Sequence, residues 1–433
     1  MDAADPLPRP GPTRRVFLAR AARVAQVAGV GVAAGGLGPL LAACDPRAAA
    51  QSAAVDRVKL PDPRRPVRWP VSAANPPLAG GLRPERHATL RVLAWAGRLN
   101  PRCLDAFGRR YRCRTELTTF AIFGHAMAAL QAGRERYDVL LGAPTYMVGR
   151  LVWRGLVQPL NHSYLPNVTG LWPYLTDPYY DLGLRYTVPY TVYTTGFGWR
   201  RDLLEVDPYA LGIGWDFPWT AAALAEGKIA ILDDYRESIG LALLRGGITD
   251  LSTGDPEQIN QATASLLRLD AIAAPLIDND TAADLASGRT WLHLAWSGQV
   301  AAAARLLPKH VPAESLGYWF PPDGVGPVSN DTGTVLRGAR SPVLAHLLLN
   351  DLLNDRTAMT NIAGTGFMQP LNRLSPRRLV DAGALPKALA NTCVLPTYVD
   401  HGLKELQLPE SVDELWAQGW NAVIRRSCVP DFC

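Results

Sequence analysis

Apolar runs and amphipathic stretches alternate along the chain from residue 90 onward, which is the pattern of strands followed by helices. The first strand is predicted at 90–95, and a helix follows from Asn100, where a capping side chain precedes Pro101. Further strands are predicted at 115–120, 138–141, 188–190, 194–200, 229–232, 291–296 and 332–336. Further helices are predicted at 124–131, 146–154, 235–244, 255–269 and 342–353. This order predicts an α/β fold with mostly parallel sheets and helices on both faces.

The turn after the strand at 229–232 carries three acids, Asp233, Asp234 and Glu237. Ligands of open α/β sheets bind where the carboxyl ends of strands meet the following helices, so we expect these side chains to face a cleft. Two interpretations are open. Either Asp234 caps the helix and Glu237 completes a capping box, or the carboxylates receive a cation. A third interpretation is that Arg236, which lies between the acids in the sequence, neutralises them in place of a ligand.

The N-terminal segment has the features of an export signal. Thr13-Arg-Arg-Val-Phe-Leu18 contains a twin arginine and precedes a weakly apolar run at 24–43, which is typical of Tat signals. The run ends in Leu41-Ala-Ala-Cys44, which resembles the lipobox of bacterial lipoproteins. We therefore predict a cleaved signal peptide at 1–43 and lipidation of Cys44, which would anchor the protein to a membrane. An uncleaved anchor is the alternative.

Residues 44–87 are rich in Pro, Ala and Arg and show no period, so they are predicted to form a tether, with the globular body starting near Ala88. A chain of 433 residues is too long for one ordinary core, which predicts two lobes. The net charge of +5 arises largely in residues 1–43, which contain five arginines and two aspartates. The remainder is close to neutral, which makes nucleic acid an unexpected partner.

Cysteine and histidine usage predicts neither a cofactor nor a metal site. The histidines are scattered singly and no Cys-x-x-Cys spacing occurs. With Cys44 lipidated, five cysteines remain in an oxidising compartment. Cys103 could pair with Cys113, and two of Cys393, Cys428 and Cys433 could pair, but the connectivity stays open at this stage.

Several short motifs resemble, in their order and spacing, the landmarks of spermidine/putrescine-binding proteins of ABC importers. They are Leu90-Arg-Val-Leu-Ala-Trp95, Asp138-Val-Leu-Leu-Gly-Ala-Pro-Thr-Tyr146, Val188-Pro-Tyr190, Asp233-Asp-Tyr-Arg-Glu237, Ala295-Trp-Ser-Gly298, Asn330-Asp331 and Gly366-Phe-Met-Gln-Pro370. The resemblance implies a type II periplasmic-binding-protein-like fold in which crossing strands join two lobes around a ligand cleft. We assign 88–194 with about 331–375 to one lobe, and 195–330 with about 376–433 to the other.

The resemblance also implies which residues bind the ligand. Asp234 and Glu237 match acids that receive an ammonium or line the site, and Asp331 matches a hinge-side aspartate that pairs with the other amine. The remaining matches are aromatic or flanking positions. The full predicted set is Trp95, Tyr146, Asp234, Glu237, Trp296, Asp331, Phe367 and Gln369. This chemistry suits a polyamine, whose protonated nitrogens need carboxylates and whose methylene groups need aromatic faces.

The chain departs from the family pattern at one end of this pocket. Ala96, Gly97 and Arg98 follow Trp95 where the family usually has a polar residue, an acid and a tyrosine. Pro144, Ser329 and Phe367 also replace typical family residues. We expect Arg98 to face solvent. A different polyamine, a longer or acylated amine, or another cationic solute is compatible with these changes.

The sequence thus favours a monomeric, lipid-anchored receptor on the extracytoplasmic face of the cell membrane. It would bind a small cationic polyamine, deliver it to an ABC permease and catalyse no reaction. One alternative is the same receptor class for a different cationic or amino-acid-like solute, and another is an envelope sensor or scaffold without transport. The third is a cell-surface enzyme that uses Asp233, Asp234 or Glu237 as acid and base.

Overall fold

A nine-stranded mixed sheet forms the centre of the computed structural model, which describes residues 60–133 and 136–427, without the side chains of 426 and 427. The strands are β1 (Thr89–Trp95), β2 (Arg114–Phe120), β3 (Val139–Pro144), β4 (Val188–Arg200), β5 (Ile229–Ile231), β6 (Leu276–Ile277), β7 (Leu292–Trp296), β8 (Leu316–Trp319) and β9 (Val328–Val335). They are ordered β2-β1-β3-β9-β4-β7-β5-β6, and β8 pairs with β4. All the predicted strands are therefore present.

The α-helices of the described residues lie between and after these strands. They are α1 (Pro101–Tyr111), α2 (Phe123–Ala132), α3 (Val148–Trp153), α4 (Pro173–Thr176), α5 (Phe217–Ala221), α6 (Tyr235–Arg245), α7 (Pro256–Ala273), α8 (Thr281–Ser287), α9 (Ser297–Ala303), α10 (Pro342–Leu352), α11 (Asp355–Thr365), α12 (Pro376–Asp381), α13 (Pro396–His401) and α14 (Glu410–Ser427). The predicted cap at α1 is confirmed, because the Asn100 side chain accepts from a backbone N–H of the first turn, and Asp255 caps α7 in the same way. No helix in the described ranges has the length and hydropathy needed to cross a bilayer.

The sheet was predicted to be mostly parallel, but half of its strand pairs are antiparallel. β1 pairs with β2 and β3 in parallel, as β5 does with β6 and β7. In contrast, β4 and β9 run antiparallel to each other and to their neighbours. β4 is also one continuous strand rather than the two predicted pieces. Its residues up to Thr194 pair with β9, and those from Thr195 pair with β7. The strand thus passes from one half of the sheet to the other.

Helices cover both faces of the sheet, as predicted. Successive residues of a strand point to opposite faces, and in β1 the residues Leu90 and Val92 join one apolar core while Leu93 and Trp95 join a second. The first core is completed by side chains from α1 and α10, and the second by side chains from α6, α7 and α14. The assignment of the chain to two lobes stays a prediction.

Residues 60–87 pack on the body, so the predicted start of the globular part near Ala88 was too late. Trp69 is buried, and its Nε1 donates a 2.8 Å hydrogen bond to the carbonyl of Tyr180. The Glu85 carboxylate accepts two 3.0 Å hydrogen bonds from backbone N–H groups in the first turn of α10. A segment without hydrophobic period can therefore still be held through single side chains. The predicted signal peptide and Cys44 lie outside the described residues.

The disulfide considered between Cys103 and Cys113 is absent, because both thiols are free. Cys103 lies in the first turn of α1 and Cys113 lies just beyond its last turn. The two cysteines thus lie at opposite ends of α1, whereas a disulfide needs Cα atoms within about 7 Å. Cys393 is also a free thiol. Cys428 and Cys433 lie outside the described residues.

Candidate functional site

The turn after β1 directs Arg98 into the protein. Gly97 adopts a φ of +74°, which is the left-handed region that glycine favours, and it brings the Arg98 N–H within 3.1 Å of the Trp95 carbonyl. The Arg98 carbonyl accepts from the Tyr190 hydroxyl at 2.7 Å and from Asn361 Nδ2 at 3.1 Å. Arg98 itself is only 1% exposed. The expectation that Arg98 faces solvent was therefore wrong.

Four aromatic rings surround the Arg98 guanidinium, and we call them the aromatic box: Trp95, Tyr193, Trp296 and Phe367. The distances from Arg98 Cζ to the ring centroids are 3.7 Å for Phe367, 4.6 Å for Tyr193, 4.8 Å for Trp296 and 5.6 Å for Trp95. A cation within about 6 Å of an aromatic face is attracted by the ring quadrupole. The box therefore already holds a cation that belongs to the chain.

Asp331 neutralises this guanidinium. It lies in β9 opposite Thr191 of β4, and its Oδ2 is 3.3 Å from Arg98 Nε. The Thr191 hydroxyl donates to Oδ2 at 3.0 Å, and the Tyr193 hydroxyl donates to Oδ1 at 3.4 Å. Burial raises the pKa of the fully buried Asp331 carboxyl, while Arg98 and the two hydroxyl groups lower it in part. Asp331 and Arg98 thus form a buried ion pair inside the aromatic box.

Two glycines allow Phe367 to reach the guanidinium. Gly366 ends α11 with a φ of +76°, and a Cβ on it would lie 2.0 Å from the carbonyl oxygen of Gly298. A Cβ on Gly298 would in turn lie 2.6 Å from the Phe367 ring. Gly298 and Gly366 belong to two of the motifs that resemble polyamine-binding proteins, and these two motifs pack against each other.

Carboxyl groups lie near the indole N–H of Trp296. Trp296 Nε1 donates a 2.6 Å hydrogen bond to Glu237 Oε1. Glu237 and Glu405 are both buried. Burial, followed by the nearby charges of Glu405 and Asp234, raises the pKa of Glu237 well above its usual range. Burial also raises the pKa of Glu405 to about 7, against a lowering by Arg236. We call Asp234, Glu237 and Glu405 the acid cluster.

Asp234 acts as the helix cap that one interpretation of the sequence predicted. Its side chain accepts from the backbone N–H of Arg236 at 2.9 Å and of Glu237 at 3.4 Å. Glu237 does not complete the capping box with its side chain, which is engaged with Trp296 instead. The capping and cation-binding interpretations are thus compatible, because Asp234 caps α6 and also raises the pKa of its neighbour Glu237.

Arg236 does not neutralise the acid cluster by direct contact. Its guanidinium donates to the carbonyls of Leu406 and Leu251 and to Ser252 Oγ, at 3.0 to 3.2 Å. It also lies 5.0 Å from the ring centroid of Tyr146. In the described part of the chain, the acid cluster forms no ion pair with a lysine or arginine within 4.0 Å. Arg236 therefore acts on these carboxyl groups only over a longer distance.

The structure brings most of the predicted site residues together. Trp95, Trp296, Asp331 and Phe367 surround Arg98; Glu237 bonds to Trp296; Asp234 caps the helix of Glu237; and Tyr146 lies over Arg236. Gln369 is fully buried, but its amide atoms have no hydrogen-bond partner among residues 60–133 and 136–427. Its assignment to the site remains untested.

Sequence reasoning missed Arg98, Tyr193 and Glu405 as members of the site. Tyr193 carried no usable signal, because it lies between the two predicted strand pieces at 188–190 and 194–200. Arg98 carried a weak one, as a cation placed after a strand that ends at a predicted site residue. Glu405 follows Lys404 in a segment without clear period, and nothing in its surroundings distinguished it from a surface acid.

Comparison with known proteins places this arrangement in a family. The family model for bacterial extracellular solute-binding proteins matches residues 112–376, more than half of the chain. The protein belongs to this family, whose members are solute-binding components of ABC transporters rather than enzymes. The α/β architecture is that of type II periplasmic binding proteins, in agreement with the predicted fold class.

Individual relatives share about a quarter of their residues with the chain. The putrescine/cadaverine-binding protein of Pseudomonas aeruginosa is 26% identical over 302 residues, which cover 67% of this chain and 82% of that protein. Spermidine/putrescine-binding periplasmic protein 1 of Haemophilus influenzae is 27% identical over 305 residues, which cover 70% and 78%. The crystal structure of the TpPotD lipoprotein of Treponema pallidum is similar in fold, with a TM-score of 0.63 at 19% identity, covering 77% of this chain and 99% of that chain.

Proposed function

We propose that the protein is the extracytoplasmic receptor of an ABC importer and that it binds a protonated amine of the polyamine class at the acid cluster. The observation that carries this proposal is the pair Glu237 and Glu405, two buried carboxyl groups that form no ion pair with a lysine or arginine within 4.0 Å in the described ranges. The names of the relatives in Pseudomonas and Haemophilus support the same ligand class.

An ammonium ion is the natural complement of this pair. Buried carboxylates are costly unless a charge or hydrogen-bond donors compensate them, and the raised pKa values of Glu237 and Glu405 express that cost. An ammonium group brings three donors and a positive charge. The indole of Trp296, whose N–H orients Glu237, offers an apolar face for the methylene groups of the same ligand.

Access to these buried groups requires movement of the protein. We infer that the two predicted lobes, 88–194 with about 331–375 and 195–330 with about 376–433, part to admit the amine. They would then close on it, with β4 and β9 as the crossing strands. Ligand contacts that exist only in the closed form would stabilise closure.

Export, anchoring and delivery complete the proposal. The twin arginine at 14–15 directs Tat export, Cys44 carries the lipid anchor, and the monomeric receptor delivers its solute to a permease at the membrane. Metabolic labelling with a fatty acid tests the anchor: the intact chain should take up label, and Cys44→Ser should not. Replacing both arginines with lysine should retain the protein in the cytoplasm. Label in the Cys44→Ser protein would refute the anchor.

Isothermal calorimetry tests the amine site. We expect saturable binding of at least one of putrescine, spermidine and N-acetylputrescine at pH 8, and Glu237→Gln should weaken it by at least about 30-fold, because it removes a buried charge from a charged pair. Glu257→Gln is the matched control, since Glu257 is exposed and its contact is to Gln261. Absence of heat with all three amines and with 4-aminobutyrate, or equal affinities in both variants, would refute the proposal.

A further inference from the structure

We propose that Arg98 determines the chemical class of the solute: an amine with one ammonium end and one end that presents an oxygen acceptor, either a carboxylate or an acyl carbonyl. The ammonium end binds the acid cluster and the oxygen end binds the Arg98 guanidinium. This inference rests on the proposed function, because it takes the acid cluster as the amine site.

Arg98 occupies the position that a second ammonium would need. Its guanidinium lies within 5.6 Å of all four ring centroids of the aromatic box and within 3.3 Å of Asp331. The carboxylate and the aromatic faces on this side of Trp296 are therefore already satisfied by a cation of the chain. A second ammonium would meet a like charge there and would find no unpaired carboxylate.

The guanidinium is also held firmly in this position. The Arg98 backbone is hydrogen-bonded through both its N–H and its carbonyl, which accepts from Tyr190 and Asn361. Movement of the side chain would leave Asp331 buried without its cation and would give up four ring contacts. A ligand ammonium that replaced it would only restore the same contacts. Displacement of Arg98 by a diamine therefore offers little gain.

One nitrogen of this guanidinium still needs an acceptor. Arg98 Nη1 is buried and has no hydrogen-bond partner within residues 60–133 and 136–427. A buried donor without an acceptor is costly, and a guanidinium is well suited to oxygen acceptors such as carboxylates. A solute oxygen directed into the aromatic box would satisfy it.

Trp296 connects the two ends of the proposed solute. Its ring centroid is 4.8 Å from Arg98 Cζ, and its Nε1 donates to Glu237 at 2.6 Å. Trp296 thus contacts the Arg98 guanidinium with its ring and Glu237 with its N–H. A short solute that lies against this indole would reach both. Putrescine, N-acetylputrescine and 4-aminobutyrate each carry one ammonium end on a chain of three or four methylene groups. They differ in the second end, which is an ammonium, an acylated amine or a carboxylate.

The test compares the affinities of these three compounds by calorimetry at pH 8. We expect the wild-type protein to bind N-acetylputrescine or 4-aminobutyrate at least tenfold more tightly than putrescine. Tighter binding of 4-aminobutyrate identifies the acceptor as a carboxylate, and tighter binding of N-acetylputrescine identifies it as a carbonyl. Putrescine binding that equals or exceeds both would overturn the inference.

Variants of Arg98 test its role directly. Arg98→Gln removes the charge and leaves Asp331 available to an ammonium, so the preference should move at least tenfold toward putrescine. Arg98→Lys keeps a cation and should retain the wild-type order. Arg102→Gln, at an exposed position of α1, is the matched control and should change nothing. An unchanged preference in Arg98→Gln would overturn the inference. If that variant does not fold, the order of the three affinities in the wild-type protein and in Arg98→Lys decides whether the inference stands.

Failure of this inference is distinguishable from failure of the proposed function. Tight putrescine binding that is lost in Glu237→Gln would leave the amine receptor standing and remove only the role of Arg98. Absence of binding by all three compounds and by spermidine would remove both.

Discussion

Asp331 and Glu237 are both buried acids, and they differ in what compensates their charge. Asp331 has a guanidinium at 3.3 Å and two hydroxyl donors. Glu237 has the Trp296 N–H and the Thr195 hydroxyl, and the charges that raise its pKa are those of other acids, Glu405 and Asp234. Both carboxyl groups were predicted to bind an ammonium group of the ligand. One carboxyl group is thus paired with a cation of the chain, and the other has no lysine or arginine within 4.0 Å in the described ranges.

The cause of this difference lies in two arginines and their local backbone. The left-handed turn at Gly97 brings Arg98 into contact with Asp331. Arg236 is the corresponding cation near the acid cluster, but carbonyls of Leu251 and Leu406 draw its guanidinium away from the carboxyl groups. Proximity in sequence therefore does not decide which acid is neutralised.

The largest effect is expected from breaking the buried ion pair. Asp331→Ala leaves Arg98 buried without its carboxylate and should lower the free energy of unfolding by about 3–5 kcal/mol. Glu237→Gln should cost little or even stabilise the protein at pH 8, because the raised pKa shows that the fold disfavours the charged form. Urea unfolding of both variants measures the contrast.

A double variant serves as the control for this prediction. Arg98→Met combined with Asp331→Leu removes both charges together and should recover a large part of the loss, since no unpaired charge remains. Equal destabilisation by Asp331→Ala and Glu237→Gln would show that the two ends do not differ as described.

The second effect is a pH dependence that belongs to the acid cluster. The Glu405 carboxyl has a pKa of about 7 in the folded protein, against a usual value of 4.5. Between these values the folded state binds more protons than the unfolded state, so the free energy of unfolding should fall as pH rises from 4.5 to 7. The loss is on the order of 2 kcal/mol. Unfolding at several pH values measures it, and Glu405→Gln should flatten the slope; an equal slope in that variant would contradict the assignment.

A smaller effect is expected from the hydrogen bond that joins the two ends. Trp296→Phe keeps an aromatic ring near Arg98 but removes the donor to Glu237, which should cost at least about 1 kcal/mol beyond the loss of packing. Trp199→Phe is the matched control, because Trp199 is equally buried and its Nε1 has no partner among the described residues. Similar unfolding free energies for the two variants would mean that the bond to Glu237 contributes nothing.

The strands and helices could be predicted from the sequence, because hydrophobic period and caps are local signals, whereas the candidate site residues followed from the resemblance to polyamine-binding proteins. Asp234 as the cap of α6 is an example. The direction of β4 and β9 could not be predicted, since strand pairing depends on contacts between distant segments. The packing of residues 60–87 depends on single side chains such as Trp69, which leave no period.

The charge state of the site was the least predictable feature. An arginine after a strand is usually exposed, and only the approach of β9, α11 and the segment after it encloses Arg98. Glu405 comes from a segment far from α6 in the sequence, and it meets Glu237 only in the folded chain. Electrostatic partners that meet through tertiary contacts cannot be read from local patterns.

Proton release on ligand binding tests the central claim most directly. Calorimetry with putrescine and N-acetylputrescine at pH 7, in two buffers with different ionisation enthalpies, reports how many protons leave the protein. An ammonium that binds the acid cluster must displace protons from Glu237 and Glu405, so we expect proton release, with less release in Glu405→Gln because only Glu237 then remains to lose a proton. Binding without proton release would contradict the account, as would the absence of binding by these two compounds and by 4-aminobutyrate.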